Sequence, residues 1–331
     1  MKKTADYPCS VLVTGSRGKS SMVRLITAAL AGSGLKTRGR ITGVLPREIT
    51  GTEETLILRS GPGNVEEMRW WLSTLPPDTE AVVLENSAVD PELQPLAFRW
   101  LNPSCTVLTN VRPDHEEVWG EGEAHAIRAL SAGVLGGPVI LPRSVAEIPL
   151  LRTLLEGKGC TLHSCPDGKT FRETHLALTE GVCRLLGRDG GACLEAARSL
   201  PADLADFRLF SVGEGILASA FSANDPESTE ELFRATGWAR EETTLLYNSR
   251  GDRFARLQSF LPWFRAFSWK GVCLTGKRPL FLPAGMRAIP LKDLKAFEEF
   301  ISSSGQVFGC GNVAGIPLDF LLSRADGRGS E

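Results

Sequence analysis

Residues 10–21 read Ser-Val-Leu-Val-Thr-Gly-Ser-Arg-Gly-Lys-Ser-Ser. The first five predict a buried strand, Gly15 and Gly18 predict a turn, and from Ser20 to Ala31 apolar residues recur at helical spacing until Gly32-Ser33-Gly34 ends the pattern. A strand, a glycine turn and a helix in this order make a phosphate-binding loop. The glycines let the backbone turn its N–H groups inward and the helix N-terminus adds positive potential. Lys19 can reach terminal phosphates, and the Ser20 hydroxyl can bind Mg²⁺. The spacing is tighter than the usual P-loop, because Val13 stands where the first glycine would be.

Outward from this loop, the apolar run 81–84 ends at Glu85, and the run 105–109 ends at Asn110, with Arg112, Asp114 and His115 just beyond. In a parallel sheet the carboxyl ends of the strands share one edge, and ligands bind there. Glu85, Asn110 and His115 are therefore expected to converge on the loop. Glu85 with Ser20 would supply oxygen ligands to Mg²⁺, and His115 would hold a second ion or orient a carboxylate. Each residue has a plainer alternative, since a Glu after a strand often caps a helix and a lone His is often structural; their joint placement favours function.

The same alternation of short apolar runs and helical patterns continues along the chain, as in a parallel sheet covered by helices. Strands are expected at 10–14, 81–84, 105–109 and 138–141, and helices at 20–31, 65–75, 91–101, 172–186 and 190–199. Asn64 with Glu67, and Asp90 before Pro91, read as helix starts. A second series has strands near 210–221, 243–247, 271–275 and 306–308, with helices near 228–236, 254–267, 291–303 and 313–323. The pattern is interrupted between Leu200 and Phe207, which sets two domains, 1–206 and 207–331. The length of 331 residues, at roughly 150 per domain, agrees with two.

A formal charge of -2, with 23% charged and 42% hydrophobic residues, describes a globular chain and excludes disorder or nucleic-acid binding through bulk charge. The eight cysteines include no CxxC pair and lie in apolar stretches, so they read as core residues of a cytoplasmic protein. Cys160, His163 and Cys165 form a cluster that fits no standard zinc spacing. No apolar run approaches the ~18 residues of a membrane span, and the Met-Lys-Lys start leads into the glycine turn rather than a cleavage site.

Together these segments resemble the Mur ligase superfamily. They are the loop 13–21, Leu108-Thr-Asn-Val-Arg-Pro-Asp-His-Glu-Glu-Val-Trp-Gly120, and Ser222-Ala-Asn-Asp-Pro-Glu-Ser-Thr229. Arg59–Glu66, Glu85–Gln94, Tyr247–Arg253 and Gly309–Gly315 extend the similarity, which is greatest to the ligase subunit of poly-γ-glutamate synthase, the capsule-forming branch. The resemblance implies a P-loop central ATPase domain with a parallel sheet, followed by a smaller Rossmann-like α/β lid domain. It implies an ATP- and Mg²⁺-dependent amide ligase working through an acyl phosphate on a glutamate-like acid.

By carry-over, Gly15, Ser16, Arg17, Gly18, Lys19, Ser20 and Ser21, with Asn110, bind the nucleotide. Asp225, Asn248 and Arg250 join them from the second domain. Lys19, Glu85, His115 and Arg208 are the catalytic candidates, Ser20, Glu85 and His115 the metal ligands, and Arg59, Asn64 and Arg112 the substrate-binding residues. The second-domain segments are equally open to ordinary turn chemistry.

Two departures from the superfamily stand out. No lysine occurs between His115 and Gly157, where many Mur ligases carry a carbamylated lysine, so that metal role is absent or falls to a group such as His125. The acidic ribose ligand is missing from its usual slot, with Asp225 the nearest substitute. Nine residues precede the strand at Ser10, so a UDP-binding domain and a UDP-linked substrate are not expected. Capsule ligases act with small membrane partners, which would place the chain in the cytoplasm, peripheral at the inner membrane face; self-association is open. A folylpolyglutamate-type ligase, a nucleotide-binding assembly partner with weak catalysis, and a P-loop small-molecule kinase are the rivals.

Overall fold

The computed structural model describes residues 7–42, 46–57, 63–113, 115–188, 190–201, 203, 206–223, 225–251 and 253–326. The chain divides into two compact units, Met1–Pro201 and Ala202–Glu331. In the first, eight strands form one sheet: β1 (Cys9–Thr14), β2 (Thr37–Ile41), β3 (Arg47–Thr50), β4 (Glu53–Leu56), β5 (Ala81–Glu85), β6 (Cys105–Leu108), β7 (Gly137–Pro142) and β8 (Cys160–Cys165). Their spatial order is β4-β3-β2-β5-β1-β6-β7-β8, parallel except for the β2-β3-β4 meander.

All six residues of β1 are buried, as a strand covered on both faces requires. Side-chain alternation sends Val11 and Val13 into one core with Met22, Ile26, Val107 and Val182. Leu12 enters the other, with Trp71, Leu84 and Ala97. Val13 stands level with Glu85 of β5 and Val107 of β6. From β1 the chain moves toward β2 and β5 on one side, then returns to β6 on the other. That reversal is the switch point at which open α/β sheets bind ligands.

Strands 10–14, 81–84, 105–109 and 138–141 correspond to β1, β5, β6 and β7, within a residue at each end. The helices occur at Lys19–Gly32, Glu66–Thr74, Gln94–Leu101, Phe171–Leu185 and Gly191–Ser199, the third starting three residues later than expected from Asp90-Pro91. The sequence did not announce β2–β4, because their charges break the apolar pattern. Arg40 is 1% exposed and Arg47 is 9% exposed. Both survive burial through carboxylates: Arg40 meets Glu67 at 2.6 Å, and Arg47 shares Glu54 with Arg24.

All eight cysteines are buried and none is in a disulfide, and burial pushes the Cys105 thiol up to about 12. Cys160 and Cys165 sit at opposite ends of β8 and enter cores on opposite faces of the sheet, while His163 is exposed. Their side chains diverge, and among the described residues no three His, Cys, Asp or Glu side chains form a metal cluster.

The second unit holds β9 (Arg208–Val212), β10 (Gly215–Ser219), β11 (Thr243–Ser249), β12 (Gly271–Gly276), β13 (Met286–Ala288) and β14 (Gln306–Cys310). The order is β13-β12-β11-β14-β10-β9, and only the edge pair β9/β10 is antiparallel. The expected single strand at 210–221 is thus a correction. Gly213 and Glu214 turn the chain so that Val212 pairs with Gly215.

Glu230 ties this unit together. Its carboxylate accepts from Arg234 at 2.6 Å, Arg240 at 2.7 Å and the Trp263 indole at 2.8 Å, and Arg240 lies over the Phe267 ring at 3.7 Å. Burial pushes the Glu230 carboxyl up, but these hydrogen bonds and the Arg240 charge outweigh it and hold it below its ordinary 4.5. A depressed carboxyl contributes stability that is present above the unfolded value and lost as pH falls through the folded one. Glu230→Gln is expected to cost roughly 1–3 kcal/mol near neutrality, with the gap to wild type closing as pH drops below 4.5. Urea melts of both proteins near pH 7 and near pH 4 check this; a gap that does not shrink removes the charge from the account.

Candidate active site

The loop after β1 is built around two glycines. At Gly15, φ is +132° and a Cβ would lie 2.1 Å from the Thr109 hydroxyl. Gly18, at φ +75°, caps the helix Lys19–Gly32. The residues after β6 hold the loop's shape. Asn110 accepts from the Arg17 N–H at 3.0 Å and donates to the Arg17 carbonyl at 3.1 Å. Thr109 donates its hydroxyl to the same carbonyl at 2.6 Å. Ser16 donates its N–H to the Asn110 carbonyl, and its hydroxyl bridges the carbonyl and N–H of Arg112.

The amides of Ser16 and Arg17 are therefore committed to the loop's own frame. The first intrahelical bond runs from Met22 N–H to the Gly18 carbonyl, and no side-chain cap covers the turn before it. The N–H groups of that first turn are the anion-binding end of the helix. Lys19 folds its ammonium back onto the Gly15 carbonyl at 2.6 Å, with the Ser16 carbonyl at 3.4 Å. It stands at the mouth of the same turn.

Glu85, last in β5 and 4% exposed, accepts the Ser20 hydroxyl and the Thr42 N–H through one oxygen, each at 3.0 Å. A buried carboxylate beside a serine hydroxyl at a phosphate loop offers hard oxygen donors. That matches Mg²⁺, which keeps several waters and takes only one or two protein oxygens beside phosphate. The residues present fit a magnesium nucleotide on this count.

His115 adopts a left-handed conformation at φ +48° and caps the short helix Glu116–Trp119. Its Nδ1 lies 3.6 Å from Glu117, and its ring is 5.5 Å from that of Trp119. It follows the same strand as Asn110, yet no direct bond joins it to Glu85 or Ser20 among the described residues. His125 is exposed and bonds the Glu121 carbonyl at 2.7 Å.

Arg112 lies over the Phe171 ring at 5.4 Å. Asn64 accepts the Glu66 N–H at 2.9 Å while Glu67 accepts the Asn64 N–H at 3.1 Å, the reciprocal bonding of a helix start. Arg59 lies outside the described residues.

In the second unit, Arg208 opens β9 and donates to the Asp203 carbonyl at 2.8 Å. Asp225 caps the helix Pro226–Thr236 by accepting the Ser228 N–H at 2.7 Å. Asn248 spends its amide on the carbonyls of Asn312 and Ala314, and Asn312 returns a bond to the Asn248 carbonyl. Arg250 is exposed on the loop after β11.

The structure thus joins Gly15–Ser20, Glu85, Asn110 and Arg112 in one bonded set. Thr109 and Thr42 belong to that set although sequence reasoning passed over them. Thr109 had a signal, as a hydroxyl at a strand end beside Asn110. Thr42 acts through its backbone alone, which leaves none.

Comparison with known proteins bears on the whole chain. Residues 13–132 match the Mur ligase middle domain, and residues 207–324 match the poly-gamma-glutamate synthase CapB C-terminal domain. PGA synthase CapB of Bacillus subtilis (strain 168) is 28% identical over 295 residues, covering 80% of this chain and 74% of the relative. Capsule biosynthesis protein CapB of Bacillus anthracis is 24% identical over 293 residues, covering 80% of this chain but only 63% of its own length. Among solved structures, E. coli FolC in complex with ADP superposes with a TM-score of 0.68 at 14% identity, over 98% of this chain and 91% of that one. At that identity the likeness concerns the fold.

Proposed function

We propose, from the premise that the chain belongs to the Mur ligase superfamily on its poly-γ-glutamate synthase branch, that it is an ATP-dependent amide ligase joining glutamate-like acids. The observation that carries this beyond likeness is the Lys19 ammonium on the Gly15 carbonyl next to the Ser20–Glu85 hydrogen bond, at the ends of β1 and β5. In such a reaction the carboxylate of one acid takes the γ-phosphoryl group of ATP and releases ADP; the amino group of a second acid then displaces phosphate. Mg²⁺, when bound, neutralises phosphate charge, and Ser20 and Glu85 are the residues that would hold it.

The chain's own part is placement and charge. The turn opening the helix Lys19–Gly32 gathers phosphate oxygens, and the Lys19 ammonium transfers from the Gly15 and Ser16 carbonyls to the terminal phosphates. Asn110 and Thr109 keep the loop from yielding as charge moves across it. His115 and Arg112, on the strand end beside it, are the candidates for orienting the acidic substrate, and no protein nucleophile is required.

Among the described residues no helix is long and apolar enough to cross a membrane. We place the chain on the cytoplasmic face of a capsule-type synthase, with membrane subunits as partners.

The test incubates the full chain with ATP, Mg²⁺ and D- or L-glutamate, following phosphate release and product mass. Acceptor-dependent release with glutamate-to-glutamate amide products is the expected result. No release with any acidic acceptor would end the ligase proposal, and products formed only with folates would move it to the folylpolyglutamate type.

A further inference from the structure

Trp119 ends the short helix Glu116–Trp119 and packs, 8% exposed, into the core of Leu108, Val111 and Ile127. A leucine or a phenylalanine would fill that place as well. The indole also donates its N–H to the Val89 carbonyl at 2.6 Å, on a residue 30 positions away. Val89 belongs to the segment that leaves Glu85.

That segment is held by buried bonds. The Asn86 N–H donates to the Val13 carbonyl at 2.8 Å, and the Asn86 amide donates to the Gln94 carbonyl at 3.1 Å and the Gln94 side-chain oxygen at 2.9 Å. Gln94 in turn donates to the Ala88 carbonyl at 2.7 Å. Asn86 and Gln94 are each 2% exposed, so water does not compete for these bonds. The Val89 carbonyl is therefore a fixed point tied to the end of β5.

On its other side Trp119 holds His115. Its backbone N–H donates to the His115 carbonyl at 2.9 Å, and the two rings lie 5.5 Å apart at 57°. His115 keeps φ at +48°, a conformation that persists at a residue other than glycine where its surroundings impose it.

We propose that Trp119 is a positioning residue, whose indole bond to Val89 sets the turn bearing His115 in register with the strand end bearing Glu85. The inference rests on the ligase reading under Proposed function, with His115 orienting the acidic substrate. The bonds that shape the phosphate loop run instead through Thr109, Asn110 and Arg112, so nucleotide affinity should not depend on Trp119.

Initial rates of the full chain with MgATP and glutamate are measured for wild type, Trp119→Phe, His115→Ala and the double variant. Phe keeps an aromatic ring in the core and removes the donor. In Trp119→Phe the KM for glutamate is expected to rise about tenfold, the scale of one hydrogen bond, while the KM for MgATP stays within about twofold. In the His115→Ala background the same substitution should cost less than about twofold, because the group it positions is gone. A general loosening of the core would not separate the two backgrounds.

A folded Trp119→Phe protein with the wild-type KM for glutamate, or with both KM values raised alike, overturns the proposal and leaves the ligase reading intact. So does an equal loss in the two backgrounds. Where His115→Ala has no measurable rate, the two KM values decide. If Trp119→Phe does not fold, Trp119→3-benzothienylalanine takes its place, since that side chain matches the indole in shape and lacks the N–H. Failure of this isostere to fold makes the bond a folding contact and also overturns the proposal. Absence of glutamate-dependent turnover by wild type overturns the proposal and the ligase reading together.

Discussion

Lys19→Ala is expected to lower acceptor-dependent ATP turnover by roughly 10³-fold, the scale of losing one preorganised charged donor at a phosphoryl group. The ammonium is held between the Gly15 and Ser16 carbonyls, at the open end of a helix whose first turn has no side-chain cap. The other cation of that helix, Arg24, is committed to Glu54 and the Pro201 carbonyl, so it does not replace the charge. The fold should survive, because the loop keeps its bonds to Asn110, Thr109 and Arg112. Phosphate release measured beside a thermal melt separates the two. Turnover within tenfold of wild type in a folded variant would remove Lys19 from the chemistry. Lys19→Arg should not restore the rate, since a planar fork cannot take the place of a compact ammonium in this turn.

Glu85 is expected to give the second large effect, and two substitutions split its roles. In Glu85→Ala the Ser20 hydroxyl and the Thr42 N–H lose their shared acceptor, which costs about 1–3 kcal/mol of stability as well as activity. Glu85→Gln keeps an acceptor oxygen for both donors but removes the negative charge. Its stability should stay near wild type while turnover falls roughly 10²- to 10³-fold, and the Mg²⁺ concentration for half-maximal rate should rise. Mg²⁺ titration of the rate is the decisive measurement. An unchanged half-point in Glu85→Gln would show that this carboxylate only braces Ser20.

Much of this site was legible because parallel sheets put strand ends on one edge. Once 10–14, 81–84 and 105–109 read as strands, Glu85 and Asn110 had to flank the loop, and the register of Val13 with Glu85 places them so. The β2–β4 meander was hidden for the opposite reason. Arg40 and Arg47 are buried because Glu67 and Glu54 pair them, and hydropathy patterns see only the charge. Asp225 and Asn248 show the reverse case. Side chains that suit a nucleotide also suit turns, and here the first caps a helix while the second ties the end of β11 to the loop after β14.

The bonds around the phosphate loop have a thermodynamic consequence. Asn110, Thr109, Ser16 and the folded-back Lys19 close a ring of contacts through backbone and side chain before any anion arrives. The loop is therefore a stiff socket, and occupying it exchanges one set of partners for another without ordering a floppy segment. Little conformational entropy is then lost on association, so capture is set by diffusion and charge, and residence by the quality of the contacts. Loosening the socket, as Asn110→Ala would, should slow capture more than it speeds escape.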